Sequence, residues 1–422
     1  MNKYFVLFVA AFLSNCVYGQ TEIKKLSLLD AVKIGLKNNP EVKSARENIS
    51  ASKGRFWNGI SLPQPEVSVN YEYVPVNSGF SSFGEKTIEV SQSFEFLTNY
   101  FLKGSKFTAE EEIAIQKLNM AERCVATQVK TSYYKILAKK YQINSTEENL
   151  KISEDFFKKA EIRQNVGEGT NLEKLTARVQ FIEARNSLEV AQNGFKTALA
   201  EFNFALGFGN QNNYSNFDLA DSLTFVDYEI NFDKMSKSLE ASNPEIKIAE
   251  LNCDIASVDK TLAWSSLLPN FNVSYFRQTI GGNNGFYGAS FGISVPLWFM
   301  LDQRGKIQEA SANGSIFESE LQLTKNVIFL KLKNAFTEYE NSLTQVRLYN
   351  NEILPQAEEI YRTAIKSYDA GELTFLEFLQ AKQMLINSQN SYISALYDYY
   401  QSAFLIEEIT GQNIIDNSEG EK

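Results

Sequence analysis

A seven-residue stretch occurs twice in this chain, as Gly-Glu-Gly-Thr-Asn-Leu-Glu at residues 167–173 and as Gly-Glu-Leu-Thr-Phe-Leu-Glu at residues 371–377. The two copies lie 204 positions apart, and the same offset aligns Asn-Pro-Glu-Val at residues 39–42 with Asn-Pro-Glu-Ile at residues 243–246. One offset that serves such distant sites indicates an internal duplication. A unit of about 200 residues is too long for a solenoid repeat and predicts a body with two-fold pseudo-symmetry.

The duplication sets the predicted domain organisation. We expect a first structural repeat at residues 20–215, a second at residues 216–412 and a C-terminal tail at residues 413–422. Residues 1–19 predict a signal peptide, because Lys3 precedes an apolar run that is too short to span a bilayer.

The end of the signal segment allows a second interpretation. Val17-Tyr18-Gly19 provides the modest side chains that a signal peptidase reads before Gln20. Leu13-Ser14-Asn15-Cys16 has instead the spacing of a lipobox, in which Cys16 would be lipidated and anchored to a membrane leaflet. Asn15 stands where such sites have Gly, Ala or Ser, so ordinary cleavage is the favoured interpretation.

The composition excludes most enzyme chemistry. The 422 residues include no histidine, which removes Ser-His-Asp and Cys-His catalysis and every histidine-containing zinc site. Three scattered cysteines, Cys16, Cys124 and Cys253, are too few for a disulfide framework or an iron–sulfur cluster. A net charge of −10 argues against a nucleic-acid partner. We therefore predict a protein that is not an enzyme and binds no cofactor or metal.

Each repeat is predicted to begin with two consecutive helices, at residues 27–60 and 231–262. Ser27 and Asn231 can act as N-caps, and Asn-Pro-Glu interrupts each segment and starts the second helix with proline in its first turn.

Strict alternation of apolar and polar residues follows, and it predicts β-hairpins at about residues 66–97 and 270–298. Valine, tyrosine and phenylalanine occupy one face of each strand, and serine, asparagine and glutamate occupy the other. Four such strands of about ten residues have the length and pattern of transmembrane β-strands. Four strands cannot close a barrel, so several chains must each contribute a sheet.

Long helices follow each hairpin, at residues 104–165 and 303–369, and heptad spacing along the second indicates coiled-coil packing. Each ends at a tip, near residues 165–171 and 368–374. There a glycine stops the helix, and Thr-x-x-Glu forms the capping box of the returning helix.

These features together resemble the TolC family of bacterial outer-membrane efflux proteins, over essentially the whole mature chain. The resemblance rests on the duplicated Asn-Pro-Glu break, on the entries Leu62-Pro63 and Leu268-Pro269 into the strands, on the two tips, and on the run from Ile353 to Gly371. It implies an α+β membrane protein: a homotrimer with a 12-stranded β-barrel, four strands per chain, in the outer membrane of a Gram-negative bacterium. A long α-helical barrel would continue into the periplasm.

The implied function is a passive export conduit in a tripartite efflux or secretion system. Its partners would be a periplasmic adaptor and an inner-membrane pump of the RND or ABC type, and the pump would select the cargo. The alternative is a periplasmic coiled-coil scaffold or adaptor protein whose β-hairpins form a soluble sheet.

The resemblance also implies candidate sites, each beside a simpler structural role. The tip residues would contact the adaptor, although any helical hairpin needs such a turn: Gly167, Glu168, Thr170, Gly371, Glu372 and Thr374. Glu377 and Glu173 would form a periplasmic gate, although a capping box explains both carboxylates. Relatives often carry a second acid where this chain has Gln380, which weakens the expected acidic ring.

Two further sets of candidates lie near the strands. Lipid-facing aromatic residues are expected at Tyr71, Tyr73, Phe94, Phe96, Tyr275, Tyr287, Phe291 and Trp298. Glu72, Glu89 and Glu95 are expected on the polar face, where they would either line the lumen or be solvated charges close to the loops. Gly288-Ala289-Ser290-Phe291-Gly292 matches the G-x-S-x-G nucleophile motif, but it lies in an alternating strand of a chain without histidine.

Overall fold

The computed structural model describes residues 25–209, 218–297 and 300–415. The predicted signal peptide, Cys16 and Trp298 lie outside the described residues, as does most of the predicted tail. The helices are α1 (Leu28–Asn38), α2 (Pro40–Gly59), α3 (Leu97–Asn165), α4 (Asn171–Ala205), α5 (Phe232–Ser242), α6 (Pro244–Ser265), α7 (Asp302–Leu348), α8 (Leu354–Asp369) and α9 (Phe375–Thr410). The strands are β1 (Lys25–Leu26), β2 (Glu66–Glu72), β3 (Glu85–Phe94), β4 (Asp218–Leu219), β5 (Asn270–Ile280) and β6 (Asn283–Ser294).

The chain forms two compact units, and each takes segments from both predicted repeats. The tip unit consists of Met1–Asn39, Gln128–Val226 and Ser342–Tyr400, and it contains both helical hairpin tips. The sheet unit consists of Pro40–Thr127, Asp227–Asn341 and Gln401–Lys422, and it contains strands β2, β3, β5 and β6. Long helices run from one set of segments into the other, so the repeats predicted along the sequence are not the compact units of the fold.

The Asn-Pro-Glu breaks lie where the sequence predicts them, between α1 and α2 and between α5 and α6. In the tip unit, the Asn39 side-chain amide donates to the Ala205 carbonyl at 3.1 Å. In the sheet unit, the Asn243 amide donates to the Ile409 carbonyl at 3.0 Å. Both pairs are buried and obey the 204-residue offset, so the duplicated sequence makes the same tertiary hydrogen bond twice.

The sheet unit contains a four-stranded antiparallel sheet in the order β2-β3-β5-β6. Val90 is paired with Val67 on one side and with Tyr275 on the other, so the apolar positions of neighbouring strands share one face. The face opposite carries the polar series, as in the pair of Ser68 with Glu89. The predicted alternation therefore gives one mainly apolar face, which Lys86, Gln92 and Arg277 interrupt, and one mainly polar face.

Turn geometry ends the strands earlier than the sequence predicts at two positions. β2 ends at Glu72, and Tyr73 follows it with a φ of 54° in the turn towards Gly84. β3 ends at Phe94, so Phe96 lies in the connection to α3, where its ring packs against Phe271 at 6.2 Å. The expectation that Tyr73 and Phe96 are strand residues was wrong.

The long helical spans are present with different bounds. α3 begins at Leu97, before the predicted start at residue 104. The second span is interrupted by a π-helical turn at Tyr349–Ile353, immediately before α8. Pro355 lies in the first turn of α8, and the wider turn before it accommodates the missing amide donor. Over the described residues, no helix combines the length and hydropathy required of a membrane span.

Small side chains at seven-residue intervals form the buried stripe of α4: Ala177, Ala184, Ala191, Ala198 and Ala205. Within the tip unit, α9 repeats the stripe at the 204-residue offset with Ala381, Ser388 and Ala395. Small residues on the buried face let helix backbones approach closely, and the constant spacing keeps that face on one side of each helix.

Candidate functional site at the hairpin tips

In the tip unit, one glycine turn follows the end of α3 and another follows the end of α8. Gly167 has a φ of 83° and Gly371 a φ of 75°, a left-handed conformation that favours glycine. The next amide closes each turn: the Glu168 amide donates to the Arg163 carbonyl and the Glu372 amide to the Ser367 carbonyl, both at 2.9 Å. The two tips are therefore built alike, as the repeated sequence predicts.

Capping boxes start both returning helices. The Glu173 amide donates to the Thr170 hydroxyl at 3.2 Å, and the Thr170 amide donates to the Glu173 carboxylate at 3.1 Å. In the second tip, the Glu377 carboxylate accepts from the Thr374 hydroxyl at 2.6 Å and from the Thr374 amide at 2.9 Å. These hydrogen bonds hold the pKa of Glu377 below its usual value, so its carboxylate is ionised at neutral pH.

The predicted gate residues lie on the two returning helices. Glu377 and Gln380 are exposed on α9, and Glu173 is half-buried on α4. Glu173 and Glu377 each form the hydrogen bonds of their own capping boxes, so the structure supports the helix-capping role directly.

An aromatic cluster joins the two hairpins just above the tips. The Phe156 ring of α3 stacks on Phe375 at 4.9 Å and on Phe378 at 4.8 Å, both on α9. Tyr368 of α8 packs against the same ring at 5.3 Å. Ala160 and Ala177 are buried beside this cluster, and they leave room for the large rings.

A polar link between the hairpins lies closer to the turns. The Arg163 guanidinium on α3 donates to the Tyr368 hydroxyl on α8 at 3.1 Å, and its central carbon lies 6.0 Å from the centre of the tyrosine ring. Partial burial raises the pKa of Tyr368, and the positive charge of Arg163 partly opposes this rise. The sequence analysis missed this link, because no local pattern predicts which residues of two hairpins will meet.

Lys382 is a buried cation about two helical turns into α9, the helix that follows the second tip. Its side chain is 6% exposed, and Nζ donates to the Ser153 hydroxyl of α3 at 2.7 Å. Burial lowers the pKa of this ammonium to about 8. The sequence analysis missed Lys382 as well, because its burial depends on the packing of α9 against α3.

Apolar side chains are exposed at the tips. Leu172 and Leu376 are 74% and 64% exposed, and the offset of the repeat relates them. Val166, beside the first glycine, is 65% exposed. Exposed apolar residues at matching positions of two turns indicate a contact surface.

In the sheet unit, five of the predicted lipid-facing aromatic residues share the apolar face: Tyr71, Phe94, Tyr275, Tyr287 and Phe291. Phe291 is 82% exposed. Glu72 and Glu89 lie on the polar face as predicted. Glu95 does not, because it follows the end of β3 and its carboxylate pairs with Lys103 at 2.6 Å.

Ser290 of the G-x-S-x-G string lies in β6, within hydrogen-bond distance of the Ser274 hydroxyl at 2.7 Å. A nucleophile elbow is a sharp turn from a strand into a helix, and this serine has neither feature. Over the described residues, no three acidic or cysteine side chains are grouped to hold a metal ion.

A profile of the outer membrane efflux protein family matches two segments of the chain, residues 33–208 and 235–412. The chain belongs to this family. It is similar to the cobalt-zinc-cadmium resistance protein CzcC of Cupriavidus metallidurans, with 20% identity over 403 residues that cover 92% of this chain and 90% of the relative.

Two solved structures share the fold. A membrane protein from Pseudomonas aeruginosa superposes with a TM-score of 0.79 at 14% identity, over 91% of this chain and 90% of the other. The open state of the MtrE outer membrane channel of Neisseria gonorrhoeae superposes with a TM-score of 0.78 at 13% identity, over 92% and 89% of the two chains.

Membership of the outer membrane efflux protein family confirms the TolC-type fold and the channel function expected from the sequence. The protein is an outer-membrane efflux channel component and not an enzyme. It resides in the outer membrane of a Gram-negative bacterium, with a large helical portion in the periplasm.

Proposed function

We propose that three copies of this chain form a passive export conduit that runs from the periplasm to the exterior and is gated at the hairpin tips. The observation that carries the proposal is the four-stranded sheet. Its apolar face is exposed and its outer strands, β2 and β6, each have a neighbour on one side only. Three such sheets joined edge to edge would give a 12-stranded barrel without free edges.

The sheet face suits lipid as a partner. Val69, Ile88 and Tyr275 lie on it with more than a third of each side chain exposed. An exposed apolar face of this extent is unfavourable in water and favourable in hydrocarbon. Outer-membrane lipid is therefore the proposed contact of Tyr71, Phe94, Tyr275, Tyr287 and Phe291.

Exposed apolar seams on the helices support association with further copies. On α4, Leu175, Val179 and Ile182 follow the four-three spacing of a coiled coil, and each is more than half exposed. On α7, the same kind of seam is formed by Ile316, Leu323, Val327 and Leu330. A closed ring of identical chains would cover both seams.

We assign the tips to contact with a periplasmic adaptor, itself coupled to an inner-membrane pump of the RND or ABC type. Exposed Leu172 and Leu376 provide apolar contact area beside the turn residues: Gly167, Glu168, Thr170, Gly371, Glu372 and Thr374. The relative CzcC is named for resistance to cobalt, zinc and cadmium. For this chain we assign cargo selection to the pump, because a passive pore needs only to conduct.

The proposed gate depends on contacts between the hairpins. Separation of α8 from α3 would break the link between Arg163 and Tyr368, so that link favours the closed arrangement. Glu377, Glu173 and Gln380 would then line the periplasmic entrance, where their main effect is on ion selectivity.

Extraction and recording test the proposal. We expect the mature protein to require detergent, to have in solution the protein mass of three chains, and to give low, flickering conductance in planar bilayers. A protein that stays soluble without detergent and never conducts would contradict the proposal and favour the periplasmic scaffold.

A further inference from the structure

An apolar cavity lies where the sheet joins the helices of the sheet unit. It has a volume of about 830 Å³. It is bounded by the end of α2, the start of α3, the last residue of β3 and the start of β5. Phe56, Ile60, Phe101 and Phe271 contribute to its wall. Cavities of this size bind small molecules or single lipid chains.

The cavity is continuous with the apolar face of the sheet. Phe94 and Phe271 are cross-strand partners on that face, and both also line the cavity. The cavity therefore adjoins the end of the sheet face on which the apolar strand residues lie. Exposed Trp57 and Leu97 lie nearby in sequence, and tryptophan is the side chain that favours the membrane–water interface.

One ion pair lies beside the cavity. Glu95 is the charged side chain that lines the cavity, and Lys103 Nζ donates to its two carboxylate oxygens at 2.6 and 2.8 Å. The ion pair is neutral overall, and Glu95 rather than Lys103 lines the cavity, so the apolar wall carries the assignment.

We propose that this cavity binds one acyl chain of a glycerophospholipid. The assignment rests on the proposed lipid-facing sheet. The helices at this end of the sheet belong to the periplasmic portion of the family, so the adjoining leaflet is the inner one. A phospholipid seated there would fill the junction between the strands and the helices.

The test uses the full mature chain in vesicles of phosphatidylethanolamine and phosphatidylglycerol, with some of the former carrying a diazirine at the end of one acyl chain. After irradiation, labelled peptides are mapped by mass spectrometry. We expect label both on the cavity wall, at α2 and α3, and on the strands at Tyr287 and Phe291.

Gly104→Phe fills the cavity, because Gly104 lines it and an added Cβ would meet only Ile60, at 3.9 Å. We expect labelling of α2 and α3 to fall about tenfold, equivalent to about 1.4 kcal/mol of binding free energy, and strand labelling to persist. If Gly104→Phe does not fold, Thr108→Phe replaces it in the test, because Thr108 also lines the cavity. The matched control is Gly305→Phe on α7, where an added Cβ meets nothing within 4 Å.

The outcomes separate this inference from the proposed function. Label on the strands without label on the cavity wall overturns the acyl-chain site and leaves the lipid-facing sheet intact. Absence of label from the strands contradicts the lipid-facing sheet itself. Undiminished cavity labelling in Gly104→Phe also overturns the site. So does capture of a second copy of this chain by a photoreactive residue at Phe101, which would show that the cavity is a subunit interface.

Discussion

Asn243 makes two kinds of contact with a single amide group. Its Oδ1 accepts from the amides of Glu245 and Ile246 at the start of α6, and its Nδ2 donates to the Ile409 carbonyl. Asn243→Ala removes the cap and leaves a buried carbonyl without this donor. We expect a loss of about 2 kcal/mol, seen as a lower midpoint of thermal unfolding in detergent.

A second substitution of Asn243 and a control substitution elsewhere test this prediction further. Asn243→Asp keeps the capping acceptor, loses the donor and places a buried carboxylate beside the Ile409 carbonyl, so it should lower the midpoint although the cap remains. Asn326→Ala, at an exposed position of α7, should shift the midpoint little. Equal midpoints for Asn243→Ala and Asn326→Ala would contradict the role assigned to the buried amide.

Lys382 predicts a pH dependence of stability. Its folded pKa of about 8 is below the ordinary lysine value of 10.5, so the folded state disfavours the protonated form. The unfolded chain binds more protons between these two values, and stability should therefore rise with pH across that window. Lys382→Met should stabilise the protein below pH 8 and remove the rise.

Thermal unfolding in detergent between pH 7 and pH 10 measures this effect. Lys158→Met is the matched control, because Lys158 is an exposed lysine of α3 that pairs with Glu154. A stability profile of Lys382→Met that retains the rise of the parent would show that another group causes it.

At the scale of elements, two substitutions of Glu377 in the second capping box distinguish the effect of its charge from its role as a helix cap. Glu377→Gln keeps a side chain that can cap α9 but removes the charge, whereas Glu377→Ala removes both. If Glu377 acts through charge, both variants should change the cation selectivity of the channel in planar bilayers. If it acts as a cap, only Glu377→Ala should change conductance.

The direction of the Glu377 pKa shift adds a pH test. A lowered carboxylate pKa means that the stabilisation from this cap is present above the ordinary glutamate value and is lost as pH falls through the folded pKa. Glu377 should therefore contribute no change in gating between pH 6 and pH 8. A titration of channel opening in that range that disappears in Glu377→Gln would refute this.

The link between the hairpins is testable by a double-mutant cycle. Arg163→Ala and Tyr368→Phe each remove the hydrogen bond, so each should raise the open fraction in single-channel recordings. Because both act on one contact, the double variant should open little more than either single variant. Arg362→Ala, which removes an arginine paired with Glu359 within α8, is the control.

At the scale of the whole molecule, the exposed seam of α4 predicts the assembly. Ile182→Glu places a charge in the proposed contact between copies, so we expect the trimer to dissociate in detergent. Ser187→Glu introduces the same side chain at an exposed position of α4 on another face of the helix and should leave the trimer intact. Native mass spectrometry measures both, and an intact Ile182→Glu trimer would exclude this seam as an interface.

Local patterns in the sequence determined the element types and the two tips. Proline and asparagine at the helix breaks, glycine at the tips and alternation in the strands act through backbone dihedral angles and nearest neighbours, so they predict structure without knowledge of the fold. The N-caps Ser27 and Asn231 and both capping boxes lie where these patterns place them.

Tertiary structure decided what lies beyond the range of those patterns. The ends of β2 and β3 depend on the close approach of Tyr73 to Gly84 and on the ion pair of Glu95 with Lys103. The Arg163–Tyr368 link, the burial of Lys382 against Ser153 and the cavity at the sheet junction each join segments far apart in the chain. Such contacts depend on how helices pack and in what register, and periodicity fixes the face of a helix but not its partner.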